Sequence, residues 1–164
     1  MTATMVPIRP DFVLSPCTLD DVEDMISVQE SAFADDYFSA FTFPKTIPAS
    51  VKRHWLRERF TKIFAKPEFR NFKITETSTG KMAAWARWSF PYTFSDEQKL
   101  ERKRENEQKE REKAQGGDPD WPPGSNLEIC HAKFGALKRL REKYVQEDDM
   151  YGEFACSEDY LVGI

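Results

Sequence analysis

The side chains able to move a proton or attack a carbon are few and scattered along the chain. His54 and His131 are its two imidazoles. His54 stands beside Trp55 in a stretch of helical period, where a packed or surface histidine is expected rather than a general base. His131 follows Cys130, and adjacent helical positions point about 100° apart, so the two make a poor nucleophile–base dyad. Glu153 is the most suggestive carboxylate. It sits in Met150-Tyr151-Gly152-Glu153-Phe154-Ala155-Cys156, which reads as a strand. Alternation groups Tyr151, Glu153 and Ala155 on one face. A carboxylate flanked by aromatics can have a raised pKa and serve as a base. The same residue can instead face solvent or pair with a basic side chain. A third feature is aromatic: Tyr37-Phe38-Ser39-Ala40-Phe41-Thr42-Phe43-Pro44. Phe38, Phe41 and Phe43 in such a loop suit either a core or the wall of a substrate groove.

Other chemistries lack their residues. Glycines occur at 80, 116, 117, 124, 135, 152 and 163, so neither GxGxxG nor GxxxxGK[ST] can be drawn. HExxH, GxSxG and an EF-hand loop are absent as well. Cys17, Cys130 and Cys156 lie far apart without a CxxC, and two histidines leave few zinc ligands, so no metal is expected. A reducing compartment, cytoplasmic or nuclear, fits three unpaired cysteines and an opening without a secretory pattern. Twenty-four Lys and Arg against 28 Asp and Glu give a net charge of −4, which argues against a nucleic-acid partner. The longest apolar run, Met82 to Ala86, is far shorter than the ~20 residues that span a bilayer, so no membrane partner is expected.

The elements that must position these residues follow from period and punctuation. Phe12-Val13-Leu14 reads as a strand, and Thr18 with Asp21 as a helix start in which each can satisfy the other's backbone. Val22, Met25, Ile26 and Phe33 carry that helix to about residue 34. Trp55, Leu56, Phe60, Ile63 and Phe64 stripe a second helix over about 50–65, opened by Pro48 and stopped by Pro67. Residues 71–76 and 82–90, joined by Ser78-Thr79-Gly80-Lys81, read as a hairpin. Asp96 to Lys113 carries seven acidic and seven basic side chains with Leu100 its one large apolar residue. It reads as a solvated helix held by pairs three and four apart, and its deletion should remove little buried area. Gln115 to Asp120 breaks it, and Trp121-Pro122-Pro123-Gly124 is a rigid, irregular segment. Helical period returns over 127–146, where Ile129, Phe134, Leu137, Leu140, Tyr144 and Val145 are expected to share a buried flank. Together these make one domain over residues 1–164, of mixed α+β class, with an insertion at about 92–125.

Several of these stretches resemble the GCN5-related N-acetyltransferases, in particular their fungal members. Phe12 to Val22 is similar to that family's strand followed by T/S-x-x-D. Gln29-Glu30-Ser31-Ala32-Phe33-Ala34 resembles the helix end before the acceptor-side loop. Phe69 to Glu76 with Thr79 to Trp88 resembles its hairpin, Trp121-Pro122-Pro123-Gly124 the "WPEG" of the fungal insertion, and Met150 to Tyr160 the strand that enters the cofactor site. The resemblance implies a GNAT-like partial sheet and acetyl-CoA as co-substrate. It implies Glu153 as a base acting through water, and the backbone of Phe154, Ala155 and Cys156 against the pantetheine arm. A small-molecule or peptide amine would enter past Phe38, Phe41 and Phe43.

The family's next feature is a Q/R-x-x-G-x-G/A turn and helix, whose amides hold the pyrophosphate. Leu161-Val162-Gly163-Ile164 does not supply that turn. The reading is therefore of a domain lacking its C-terminal half, weak in or devoid of acetyl-CoA binding. The other reading is a non-catalytic interaction module using the aromatic loop and charged helix. In either case, self-association through an exposed sheet edge is expected.

Overall fold

The thirteen residues Leu14 to Ile26 show how the core begins. In the computed structural model, which describes residues 6–9, 11–116, 118–146 and 149–156, strand β2 (Phe12–Pro16) leads into a 3₁₀ turn, Leu19–Asp21, and helix α1 (Val22–Ala32). For residues 6–9, 151 and 153–156 only the backbone is described. Asp21 reaches back as expected: the Thr18 backbone N–H donates to its carboxylate at 2.7 Å. The Lys73 ammonium, from strand β3, pairs with the same carboxylate. Burial raises the Asp21 pKa, but the bonds from Lys73 and Thr18 outweigh it and hold the group below its ordinary range. The turn is thereby tied to the sheet by a charge that stays on.

Among the described residues the sheet has five strands in the order β1-β2-β3-β4-β5, every neighbouring pair antiparallel. β3 (Phe69–Glu76) and β4 (Met82–Ser89) are the expected hairpin, turned at Gly80 with φ of 71°. β5 (Tyr151–Cys156) pairs along β4, with Arg87 opposite Glu153 and Trp85 opposite Ala155. At Gly152 a Cβ would lie 3.0 Å from the Trp88 indole, so the bare backbone lets that ring lie across the strand. β1 (Val6–Arg9) was not legible in the sequence. Pro7 interrupts its pattern and removes an N–H, which an edge strand tolerates.

One face of this sheet carries the core. α1 packs on β4 and β5 and against α3 (Ala49–Phe64). Val22, Met25, Ile26, Leu56, Phe60, Ile63 and Trp85 are all buried there. The Phe60 ring meets Trp85 edge-on at 5.2 Å, and the Trp85 indole N–H donates to the Met25 carbonyl at 3.1 Å. That bond satisfies the one polar atom of a buried tryptophan.

Three expectations need correction. Residues 37–42 are a short helix, α2 (Tyr37–Thr42), where a loop was expected. Asp36 caps it by accepting from the Ser39 N–H at 2.5 Å, and Thr42 bonds back to the Phe38 carbonyl at 3.0 Å. Helix α4 (Asp96–Ala114) has no buried residue, as its composition implies, yet it is not held by its own ladder alone. Arg102 pairs with the buried Glu68 at 2.9 Å, and Lys109 and Lys113 pair with Asp120 at 2.7 and 3.2 Å. Alternating charge in a sequence says nothing about partners distant along the chain. Helix α5 (Leu127–Tyr144) does not bury the flank its period implied. Cys130 is its one buried residue, while Leu137, Leu140 and Tyr144 are at least half exposed. Periodicity tells which residues share a face, not whether anything covers it.

Candidate functional site: an aromatic cavity between α2, α3, α5 and β4

Five elements converge on a cavity of about 640 Å³, with α1 contributing Gln29 and Glu30, within the size range of small-molecule sites. α2 brings Phe38 and, just beyond its end, Phe43. α3 brings Lys52, Trp55 and Arg59, β4 brings Trp85 and Arg87, and α5 brings Lys133, Phe134 and Leu137. Trp121, from the irregular segment before α5, closes one side.

The walls are rings packed on rings. Trp55 and Trp121 are stacked, with centroids 6.0 Å apart and planes 25° from parallel. Phe43 lies 5.7 Å from Trp55 and 6.2 Å from Trp121, and Phe134 lies 4.8 Å from Trp121. Aromatic pairs at these separations favour tilted or offset geometry over a face-to-face sandwich, and they restrain one another's rotamers.

Polar bonds hold the Trp121 segment in place. The Trp55 indole N–H donates to the Asp120 carbonyl at 3.2 Å. The Asp120 carboxylate takes Lys109 and Lys113 from α4. Burial raises its pKa, but the two lysines prevail and keep it below the ordinary carboxylate value. Asp118 accepts from the Asp120 N–H at 3.0 Å and meets His131 Nε2 at 2.7 Å. Asn126 donates its N–H to the Thr42 carbonyl at 3.0 Å and caps α5, which fastens α2 to α5. The charged insertion is thus the buttress of one cavity wall.

The cavity rim is cationic. Among the described residues that line it, six are Lys or Arg and two, Glu30 and Asp36, are acidic. Lys52 stands over the Phe43 ring at 5.1 Å, Arg59 over Trp55 at 5.3 Å and Lys133 over Phe38 at 3.6 Å. A cation above a ring face is attracted by the ring quadrupole, so these heads are held at the wall.

The residues singled out by sequence fall as follows. Phe38 and Phe43 line the cavity, while Phe41 is 47% exposed and packs on Tyr37 at 4.7 Å, away from it. The backbones of Glu153, Phe154, Ala155 and Cys156 run in β5, opposite Arg87, Ala86, Trp85 and Ala84. Their side chains lie outside the described residues. His54 is exposed, 3.7 Å from Glu58. Cys130 is fully buried, and burial with the nearby Asp118 pushes its thiol pKa up, so it is no nucleophile for the exposed His131. Burial, helped by Asp21, drives the Cys17 thiol up to about 12. Trp55, Trp85, Trp121 and Phe134 were not read as site residues. Trp121 stands in a segment legible only as rigid and irregular, while Phe38 and Phe43 were the sequence signals that pointed toward a wall.

Among the described residues no cluster of three or more His, Cys, Asp or Glu side chains is arranged to hold a metal ion, and no helix is long and apolar enough to cross a membrane.

No protein-family model and no curated protein matches the chain. Among solved structures it is similar to an uncharacterized protein from Bacillus halodurans, with 9% identity and a TM-score of 0.45, covering 99% of this chain and 58% of that one. It is also similar to a ribosomal-protein-S5-alanine acetyltransferase from Vibrio fischeri, with 11% identity and a TM-score of 0.36, covering 56% of this chain and 49% of that one. The chain therefore spans somewhat over half the length of the first and about half that of the second.

Proposed function

We propose that this chain is an acyl-transfer domain of the N-acetyltransferase type, with the aromatic cavity as the seat of the acceptor amine. One observation carries the reading beyond the sequence resemblance. The strand resembling the family's cofactor strand, β5, is paired in register with Trp85 and Arg87 of β4, and both of these line the cavity. Thioester and acceptor would then meet along a single strand pair. In the reaction the amine nitrogen adds to the thioester carbonyl carbon and a C–N bond forms. The C–S bond breaks, and the thiolate leaves with its electron pair. The ammonium proton goes to a base, for which Glu153 acting through water is the candidate, and a proton returns to the departing thiolate. Direct attack needs no cysteine nucleophile, in keeping with the raised thiol pKa values of Cys17 and Cys130.

The test pairs calorimetric titration with acetyl-CoA and an assay for released CoA thiol over a panel of amines. Weak acetyl-CoA binding is expected, with the β5 backbone set against the pantetheine arm. Thiol release should depend on the amine and fall at least tenfold in Glu153→Gln, with acetyl-CoA binding retained. Absence of both binding and amine-dependent release would overturn the proposal.

A further inference from the structure

We infer that the cavity selects a ligand with a flat aromatic body and an anionic head, a carboxylate in the first instance. The body is set by the walls. Trp55, Trp121, Phe43 and Phe134 present ring faces and edges to the cavity, which suits a planar apolar group.

The charge is set by the rim. Lys52 and Lys133 are held over Phe43 and Phe38, and neither has a carboxylate partner among the described residues. The two acidic residues of the lining do not balance them. Glu30 is engaged by Arg53 at 2.5 Å, and Asp36 is engaged in capping α2. A cation in this cavity would meet a field of its own sign, and a carboxylate would supply the counter-ion that the two ammoniums lack.

The consequence for the acceptor rests on the acyl-transfer reading. A simple alkylamine enters as a cation and fits this rim poorly. The acceptor is therefore an amine that also bears a carboxylate, as an aromatic amino acid does, with the anionic head on the lysines and the amine turned toward β4 and β5.

The experiment is calorimetric titration of the whole chain, without acetyl-CoA, with three probes sharing one ring system: 2-naphthoate, 2-naphthylmethylammonium and 2-naphthylmethanol. Naphthoate should bind about tenfold more tightly than either of the others, and its affinity should fall on raising the salt. Lys52→Gln combined with Lys133→Gln should remove most of that preference while leaving the neutral alcohol's affinity within about twofold. Both lysine heads are outside the hydrophobic core, so the melting temperature of the double variant checks that it remains folded. Trp121→Phe, which keeps a ring in the wall, should weaken all three probes alike.

Equal affinity for the three probes, preference for the cation, or a naphthoate preference that survives the double substitution would each overturn the inference. Naphthoate binding by a chain that shows neither acetyl-CoA binding nor amine-dependent thiol release would uphold the site and overturn only the acyl-transfer reading.

Discussion

Replacing Arg102 by alanine tests whether the charged insertion is a structural strut or a detachable helix. Arg102 is 43% exposed, but its partner is not: the Glu68 side chain is 8% exposed, and the two meet at 2.9 Å. The second carboxylate oxygen of Glu68 is buried with no hydrogen-bond partner among the described residues. The cation removed is thus the one hydrogen-bonded to a carboxylate with little water, which Lys66 also faces at longer range. At that separation and an effective dielectric near 20, the pair attraction is about 6 kcal/mol. Solvent at the guanidinium and its lost side-chain entropy discount this to about 2 kcal/mol. In a domain of this size that lowers the melting temperature by about 4–8 °C.

The guanidinium also covers the Phe94 ring at 4.2 Å, so the bare substitution mixes two contacts. Glu68→Gln separates them. In that background the charge pair is already gone, and Arg102→Ala should cost only about 0.5–1 kcal/mol from the ring contact. Leu100→Ser, at an exposed leucine on the same helix, should change stability by less than about 0.5 kcal/mol. Thermal and urea melts of the four combinations and this control give the cycle. A shift below about 1 °C for Arg102→Ala, or equal effects with and without Glu68, would show that α4 is dispensable, as its composition alone suggests.

Other outcomes can be checked with the same material. Asp21 and Asp120 both have folded pKa values below their ordinary ones, so their contribution is present above about pH 4 and is lost as pH falls through the folded values. Stability should accordingly decline below about pH 4, and Asp21→Asn should flatten that decline in urea melts taken between about pH 2 and 6. With its pKa near 12, Cys17 should alkylate at pH 8 about a thousandfold more slowly than a free thiol, as read by peptide mass spectrometry; labelling at the free-thiol rate would refute this. Trp55→Phe keeps a ring but removes the donor to the Asp120 carbonyl, and should cost about 1 kcal/mol in melts; a neutral change would mean that this bond does not hold the Trp121 segment.

How much of this was legible in the sequence depended on the range of the signal. The β3–β4 hairpin was readable because alternation and a glycine turn are local facts, and both act within a dozen residues. So were α1 and α3, whose apolar stripes at 3.6-residue period are the stripes that Met25, Ile26, Phe60 and Ile63 bury. β1 was hidden by a proline that only an edge strand accepts. α2 was hidden by aromatic density. Its cap, Asp36 bonding the Ser39 N–H, is an ordinary helix start, but the large rings that follow suggested a loop.

The cavity was the least legible part, and the reason is physical. Its walls come from residues 29–43, 52–60, 85–87, 121 and 133–145, and nothing in a sequence states that a tryptophan at 55 will stack on one at 121. The stacking depends on a chain of bonds that each look minor: Lys109 and Lys113 to Asp120, the Asp120 carbonyl to Trp55, Asp118 to His131, Asn126 to Thr42. Remove the lysines and the carboxylate at 120 loses the two ion pairs that offset its partial burial. The Trp121 segment then loses its tie to α4 and is held by the Trp55, His131 and Thr42 bonds alone. The zero net charge of residues 96–113 is therefore not a neutral solvated surface. Its acidic side chains are largely turned to water, while three of its basic ones, Arg102, Lys109 and Lys113, are spent on carboxylates outside the helix. The insertion and the cavity are therefore one structural unit, and substitutions on the solvent-facing helix should be felt by whatever ligand the aromatic walls receive.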